Sequence, residues 1–257
     1  MKSFRCVVGL VSLTFASMLA QAADKPAVVK LCFENEDVYP WVLKAKPGLN
    51  IILMQSVEQK LGVKLEMVPL PWKRCQDEMK NGAVDGLFSA SFKPDRLELG
   101  VYPMVGDKPD ESKAVMMDGY TLYRLKGGTA KWDGTKLTVA GSVGAQPGYS
   151  VIDQLKALGA KVDDGARTAD DNFRKLIAGR VDAVALQTLE AANSVASIAE
   201  FAAQVEKVSP ALVNKPYFLM FSKQFSGKYA DFTKDMWNTV AQVRDSADFK
   251  AKAAAFK

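Results

Sequence analysis

Leu61-Gly62-Val63-Lys64-Leu65-Glu66 returns 97 positions later as Leu158-Gly159-Ala160-Lys161-Val162-Asp163. At the same offset, Asn81-Gly82-Ala83-Val84-Asp85 returns as Ala178-Gly179-Arg180-Val181-Asp182. Each copy reads as helix, glycine stop, strand, helix, glycine stop, strand. A shared offset over two separate segments implies one supersecondary unit built twice. Two similar α/β halves leave a cleft between them, and such clefts are where small ligands usually bind.

Outward from the first copy, residues 28–33 form a β-branched and apolar run, a first strand. Residues 34–47 are polar, aromatic and proline-containing, and read as a loop at that strand's end. Leu49, Ile52, Leu53, Val57 and Leu61 share one helical face, and Gly62 stops it. Val63, Leu65 and Met67 alternate with Lys64 and Glu66, as in a half-buried strand. Pro71 opens a short helix that ends near Gly82, and residues 84–88 form the third strand. The order βαβαβ implies a parallel sheet.

In the second copy, strands are expected at 137–140, near Val162 and at 181–186. A glycine-rich turn is expected at 141–148, with helices at 150–158, 169–178 and 189–203. Strand-like segments at 114–125 and 211–221 flank this copy and read as crossings between the lobes. Amphipathic residues 229–243 and a short helix at 249–256 then pack back on lobe one. The expected fold is α/β, with two βαβ-based lobes joined by a two-strand hinge. Lobe one takes residues 27–117 and 217–257, and lobe two takes 121–212. The hinge strands lie near 116–121 and 211–217. Hinge closure around a ligand is a known motion of such folds.

Residues 1–22 read as a secretory signal peptide. Lys2 and Arg5 form a basic start, residues 7–19 are mostly apolar, and Ala20-Gln21-Ala22 supplies a small-x-small cleavage pattern. The apolar run is short for a bilayer span. Cys6 lies inside this segment and not at the cleavage point, which argues against a lipid anchor. The expected location is the periplasm, as a free protein.

The formal charge of +5 over 257 residues is mild and gives no reason to invoke nucleic acid. The chain has no histidine. That excludes a Ser-His-Asp triad and a histidine-containing zinc site, and leaves carboxylate chemistry open. No metal site and no cofactor are expected. Cys32 and Cys75 remain after export, and in an oxidising compartment a disulfide between them is the expected state.

In open parallel sheets, ligands sit outside the carboxyl ends of the strands. That rule selects the loops at 34–41, 70–72, 89–96 and 141–150, with Leu186-Gln187 as a further edge. At those places the chain resembles a known family. The run Asp85-Gly86-Leu87-Phe88-Ser89-Ala90-Ser91-Phe92-Lys93-Pro94-Asp95-Arg96 is similar to a strand-and-arginine motif of the polar amino-acid family of periplasmic solute-binding proteins (family 3, type II periplasmic binding fold). Tyr39-Pro40-Trp41, Pro71-Trp72, Gln146-Pro147-Gly148-Tyr149-Ser150 and Pro216-Tyr217-Phe218 match in order and position.

The resemblance implies roles residue by residue. Arg96 would pair with a ligand carboxylate, whose two oxygens match a guanidinium fork. Ser89 and Ser91 would donate or accept through hydroxyl and backbone groups. Trp72 would stack on the ligand, with Tyr39 and Trp41 as further aromatic candidates. Tyr149 and Ser150 stand at a turn whose free N–H groups attract anions, and Ser150 also suits an N-cap. The chain departs from the family at Gln187, where many members hold the ligand's ammonium group with an aspartate. Glu34, Glu36 and Asp37 sit at a suitable strand end and are the candidates to supply that charge. Asp85 and Asp182 read as structural.

The implied function is a solute-binding protein, not an enzyme. It would capture a small carboxylate-bearing solute by hinge closure and deliver it to an ABC transporter permease. A monomer is the fold-level expectation. Two alternatives share the fold. One is a periplasmic dehydratase-type lyase acting on a cyclic carboxylate, for which Glu36 and Glu190 are the candidate acids. The other is a binding partner of a membrane sensor or redox enzyme.

Overall fold

The computed structural model describes residues 25–256, and the export segment expected at 1–22 lies outside them. One sheet contains β1 (Val28–Glu34), β2 (Lys64–Leu70), β3 (Gly86–Ser91), β4 (Met116–Leu125), β5 (Ser142–Gly144), β6 (Lys161–Asp163), β7 (Ala183–Gln187) and β8 (Val205–Phe221). Their spatial order is β6-β5-β7-β4-β8-β3-β1-β2. β1 is parallel to β2 and β3, and β5 is parallel to β6 and β7. Each parallel trio is one βαβαβ unit. The first is connected by α1 (Leu49–Leu61) and α2 (Trp72–Lys80), the second by α3 (Val151–Ala157) and α4 (Ala169–Ile177).

β4 and β8 join the two units. They run antiparallel to each other, with Tyr120 opposite Val213 and Met116 opposite Tyr217. β4 is also antiparallel to β7, and β8 to β3. The result is the two-lobed α/β fold that the repeat implies.

The repeated motifs take the same conformation in both units. Gly62 and Gly159 follow α1 and α3 with φ of 61° and 81°. Gly82 and Gly179 have φ of 74° and 66°. Only glycine adopts this left-handed backbone without steric cost. Asp85 N–H donates to the Lys30 carbonyl on β1 at 2.9 Å, and Asp182 N–H donates to Ser142 on β5 at 2.9 Å. The two aspartates therefore occupy equivalent strand entries.

Three local expectations shift. Leu137–Thr138 does not join the main sheet, and instead pairs with Lys131–Trp132 as a hairpin. The sheet strand arises inside the glycine-rich segment, as β5. A Cβ on Gly144 would lie 2.7 Å from Asn172 Oδ1 and 3.1 Å from Val184 Cγ1. This glycine serves close packing rather than a turn. The helix expected at 189–203 is broken into α5 (Thr188–Ser197) and α6 (Ala199–Gln204), because Ile198 is extended. β2 runs on through Pro69, which an edge strand tolerates.

After β8 come α7 (Lys223–Lys228), absent from the sequence reading, then α8 (Ala230–Asp245) and α9 (Ala247–Ala254). Phe225, Met236, Val240 and Phe249 from this tail share a core with Leu53 and Val57 of α1. The tail thus packs back on lobe one. Cys32 and Cys75 form a fully buried disulfide, with Cα atoms 5.7 Å apart and a sequence separation of 43. Chain entropy for such a loop is about 4 kcal/mol. The bond ties α2, and so Trp72 at its first position, to the central strand of lobe one.

Candidate functional site

Side chains from the carboxyl ends of the parallel strands meet between the lobes. They line a small interlobe cavity of about 30 Å³. Lobe one contributes Glu34, Trp72, Ser89, Ser91 and Arg96. Lobe two contributes Tyr149, Ser150 and Gln187, and the joining strands add Met116, Tyr120 and Tyr217.

Arg96 lies in the short turn Pro94–Glu98 and is only 4% exposed. Its Nη1 donates to the Ser91 carbonyl at 2.8 Å and to Ser91 Oγ at 3.3 Å. Its Nη2 donates to the Gly148 carbonyl of lobe two at 3.1 Å. Nε is buried and makes no hydrogen bond to the described residues. The guanidinium stands 5.6 Å from the Trp72 ring centroid. Among the described residues it is the one cation in the cavity wall, held beside a flat ring with a donor to spare.

Ser91 Oγ donates to Ser150 Oγ at 2.8 Å, and Lys215 Nζ donates to the same oxygen at 2.7 Å. Ser150 precedes α3 but makes no capping bond. Its hydroxyl is committed to the interlobe contact instead. Lys215 also stands 5.0 Å from the Tyr120 ring centroid. Burial, aided by the nearby positive Arg96 and Lys93, pushes its ammonium down to about 8.

Ser89 has a φ of 71°, a left-handed conformation in a non-glycine residue. The pairing of β3 with β8 shifts register at this point. Asn50, buried in the first turn of α1, donates to Ser89 Oγ at 2.7 Å. Strain of this kind costs about 1–3 kcal/mol and clusters at functional sites.

Gly148 has a φ of 77°, and a Cβ there would lie 2.9 Å from Lys73 Cγ and 3.3 Å from Trp72 Cδ1 of lobe one. The lobes therefore touch through bare backbone at the cavity's edge. Gln187 ends β7, is 4% exposed, and has a buried Oε1 with no partner among the described residues. The Tyr217 hydroxyl stands beside Gln187 and the Tyr120 hydroxyl.

Four residues singled out from sequence, Glu36, Asp37, Tyr39 and Trp41, lie outside the cavity lining. Glu36 sits on the rim, paired with Arg167 of lobe two at 3.1 Å and with Lys44. Tyr39 packs against Phe256, ring centroids 6.1 Å apart. Glu36, Asp37 and Tyr39 line a neighbouring groove with Glu190. Glu34 faces the cavity in place of Glu36. Its Oε1 accepts from Asn35 N–H at 2.8 Å and Glu36 N–H at 3.2 Å, with Arg167 at 3.7 Å. Burial pushes its carboxyl up despite these partners. Trp41 is anchored away, its Nε1 donating to Asp118 at 2.8 Å.

Glu190 is 4% exposed. Gln146 Nε2 donates to its two oxygens at 3.1 and 3.3 Å, and Ala169 N–H donates at 3.3 Å. Burial pushes its carboxyl up to about 8. Asn50, Met116, Tyr120, Lys215 and Tyr217 were not found as site residues from sequence. The period-two faces of the joining strands, with Met116 and Tyr120 on one and Lys215 and Tyr217 on the other, carried that signal.

Solved structures share this fold over nearly the whole chain. An ancestral arginine-binding protein bound to glutamine superposes with a TM-score of 0.70 at 19% identity, covering 91% of this chain and 99% of that one. An ABC uptake transporter substrate-binding protein from Streptococcus pneumoniae with bound histidine gives 0.69 at 15% identity, over 90% and 92%. An ancestral amino-acid-binding protein, a precursor of cyclohexadienyl dehydratase, gives 0.67 at 21% identity, over 90% and 96%. At these identities the likeness establishes the fold. No protein-family model matches the chain, and no curated protein sequence does.

Proposed function

We propose that the chain is an extracytoplasmic solute-binding protein. It captures a small carboxylate-bearing solute, an amino acid or related compound, and delivers it to the permease of an ABC importer. The observation that carries this reading is Arg96, buried in the interlobe cavity beside Trp72, its Nε without a partner among the described residues.

In this reading residues 27–117 and 217–257 form the receiving lobe, and 121–212 form the closing lobe. The solute docks on Arg96, Ser91, Ser89 and Trp72. Rotation at 116–121 and 211–217 then brings in Tyr149, Ser150 and Gln187. Closure removes water and so strengthens the ionic contact. Micromolar affinity needs only about 8 kcal/mol, within reach of one paired carboxylate and one stacked ring. The closed pair of lobes presents a joint surface to the permease.

A lyase would need an acid with a raised pKa facing its substrate. Among the described residues, Glu34 is the one acid in the cavity wall, and Glu190 faces Gln146 and Ala169 instead. Glu34, whose carboxyl burial pushes up, would be the acid of the lyase reading; the binding reading ranks first on Arg96, a buried cation placed to receive a carboxylate. Native mass spectrometry of gently purified protein tests it. A retained small anion, displaced by added carboxylates that also raise the unfolding temperature, is the expected result. Protein that carries none, and whose unfolding temperature no carboxylate shifts, would overturn the reading.

A further inference from the structure

We propose that Glu34 receives the cationic group of the solute, so that both charges of a zwitterion dock on lobe one and lobe two closes over them with neutral groups. The proposal rests on the reading of this cavity as the capture site and names the residue that sets its preference for a cation.

Lobe one lines the cavity with a cation and an acid, Arg96 and Glu34. Lobe two adds Tyr149, Ser150 and Gln187, two hydroxyl side chains and an amide. Gln187 is neutral, and its side chain stands beside the Tyr217 hydroxyl. Asp118 lies outside the lining, where it accepts from Trp41 Nε1 at 2.8 Å and Gly119 N–H at 2.7 Å. Glu190 also lies outside it, accepting from Gln146 and the Ala169 N–H. Among the described residues, an ammonium group in this cavity finds its counter-charge only at the end of β1.

The surroundings of Glu34 suit that role. Its side chain is 12% exposed. The Asn35 and Glu36 N–H groups and Arg167 all approach Oε1, which leaves Oε2 open. Arg167 is shared with other partners, standing closer to Glu36, at 3.1 Å, and donating to Asn35. Burial pushes the Glu34 carboxyl up, and a cation at Oε2 would offset that desolvation. Burying an ammonium group is itself costly unless an acid pairs with it. The pairing therefore relieves both groups, and the two backbone N–H bonds hold the carboxylate ready for it.

Titration calorimetry with matched pairs tests the proposal. Alanine, leucine and phenylalanine are each compared with the same acid lacking its amino group. In at least one pair the amino acid should bind the wild type about tenfold or more tighter, a difference of about 1.4 kcal/mol. Glu34→Gln keeps an acceptor for both N–H groups and removes only the charge. It should abolish that preference without weakening the des-amino acid. Glu36→Gln, on the rim, should leave the preference intact. Circular dichroism confirms that each variant is folded, and the wild-type comparison stands without them. Des-amino acids that bind the wild type as tightly as their amino partners would overturn the proposal and leave the capture site standing. So would a preference that survives Glu34→Gln, or one lost equally in Glu36→Gln. Failure of every acid in all pairs to bind would overturn both.

Discussion

Ser91 and Ser150 share a hydrogen bond of 2.8 Å between the end of β3 in lobe one and the start of α3 in lobe two. Ser150 Oγ also receives Lys215 from β8, so one oxygen ties together both lobes and a joining strand. Replacing Ser150 with Ala leaves Ser91 Oγ and Lys215 Nζ without that acceptor. Leaving such groups unpaired costs about 1–3 kcal/mol, charged to the closed form alone. The expected outcome is about a tenfold or greater loss of ligand affinity, with the unfolding temperature of the ligand-free protein little changed. Calorimetry and thermal melts read the two effects separately.

At Gly148 the lobes meet through bare backbone. The variant Gly148→Ala forces a side chain into a left-handed backbone and against Trp72 and Lys73. Both effects oppose closure more than they oppose folding of either lobe. Small-angle scattering should show a larger radius of gyration in saturating ligand than for the wild type. An equal radius for the two proteins would show that this contact does not gate closure.

Glu190 sets a pH dependence whose sign is determined by its burial. Its folded pKa of about 8 lies above the ordinary 4.5. The folded chain therefore holds more protons than the unfolded chain between those values, and stability falls as pH rises through that window. The stabilising contribution is complete below pH 4.5 and lost above about 8. Glu190→Gln keeps the shape of the neutral acid without its proton. Melting temperatures should converge at low pH, with the variant holding its stability better than the wild type as pH approaches 8.

Much of this was legible in sequence because it is local. The glycines that close each helix, and the serines and arginine that end β3, are placed by chain geometry over a few residues. Arg96, Ser89, Ser91, Trp72, Tyr149, Ser150 and Gln187 were named from the strand-end rule and the family resemblance, and all line the cavity. What sequence did not show depends on long-range register. A strand has two faces, and pairing with distant neighbours decides which looks into the cleft. Tyr120, Lys215 and Tyr217 were missed for this reason. The choice between Glu34 and Glu36 also turned on how far β1 extends before the chain bends to the rim. β5 was hidden because Ser142 and Gly144 have little intrinsic strand preference. They become a strand by lying between β6 and β7.

The most direct test of the account is the affinity of Arg96→Met for the carboxylate that most raises the unfolding temperature of the wild type, measured by calorimetry beside the wild type. Arg96→Lys serves as a charge-retaining control, and circular dichroism confirms that each variant is folded. The account predicts a loss of about a hundredfold or more for Met, consistent with about 3 kcal/mol for a charged hydrogen bond, and a smaller loss for Lys. A dissociation constant for folded Arg96→Met equal to that of the wild type would contradict it.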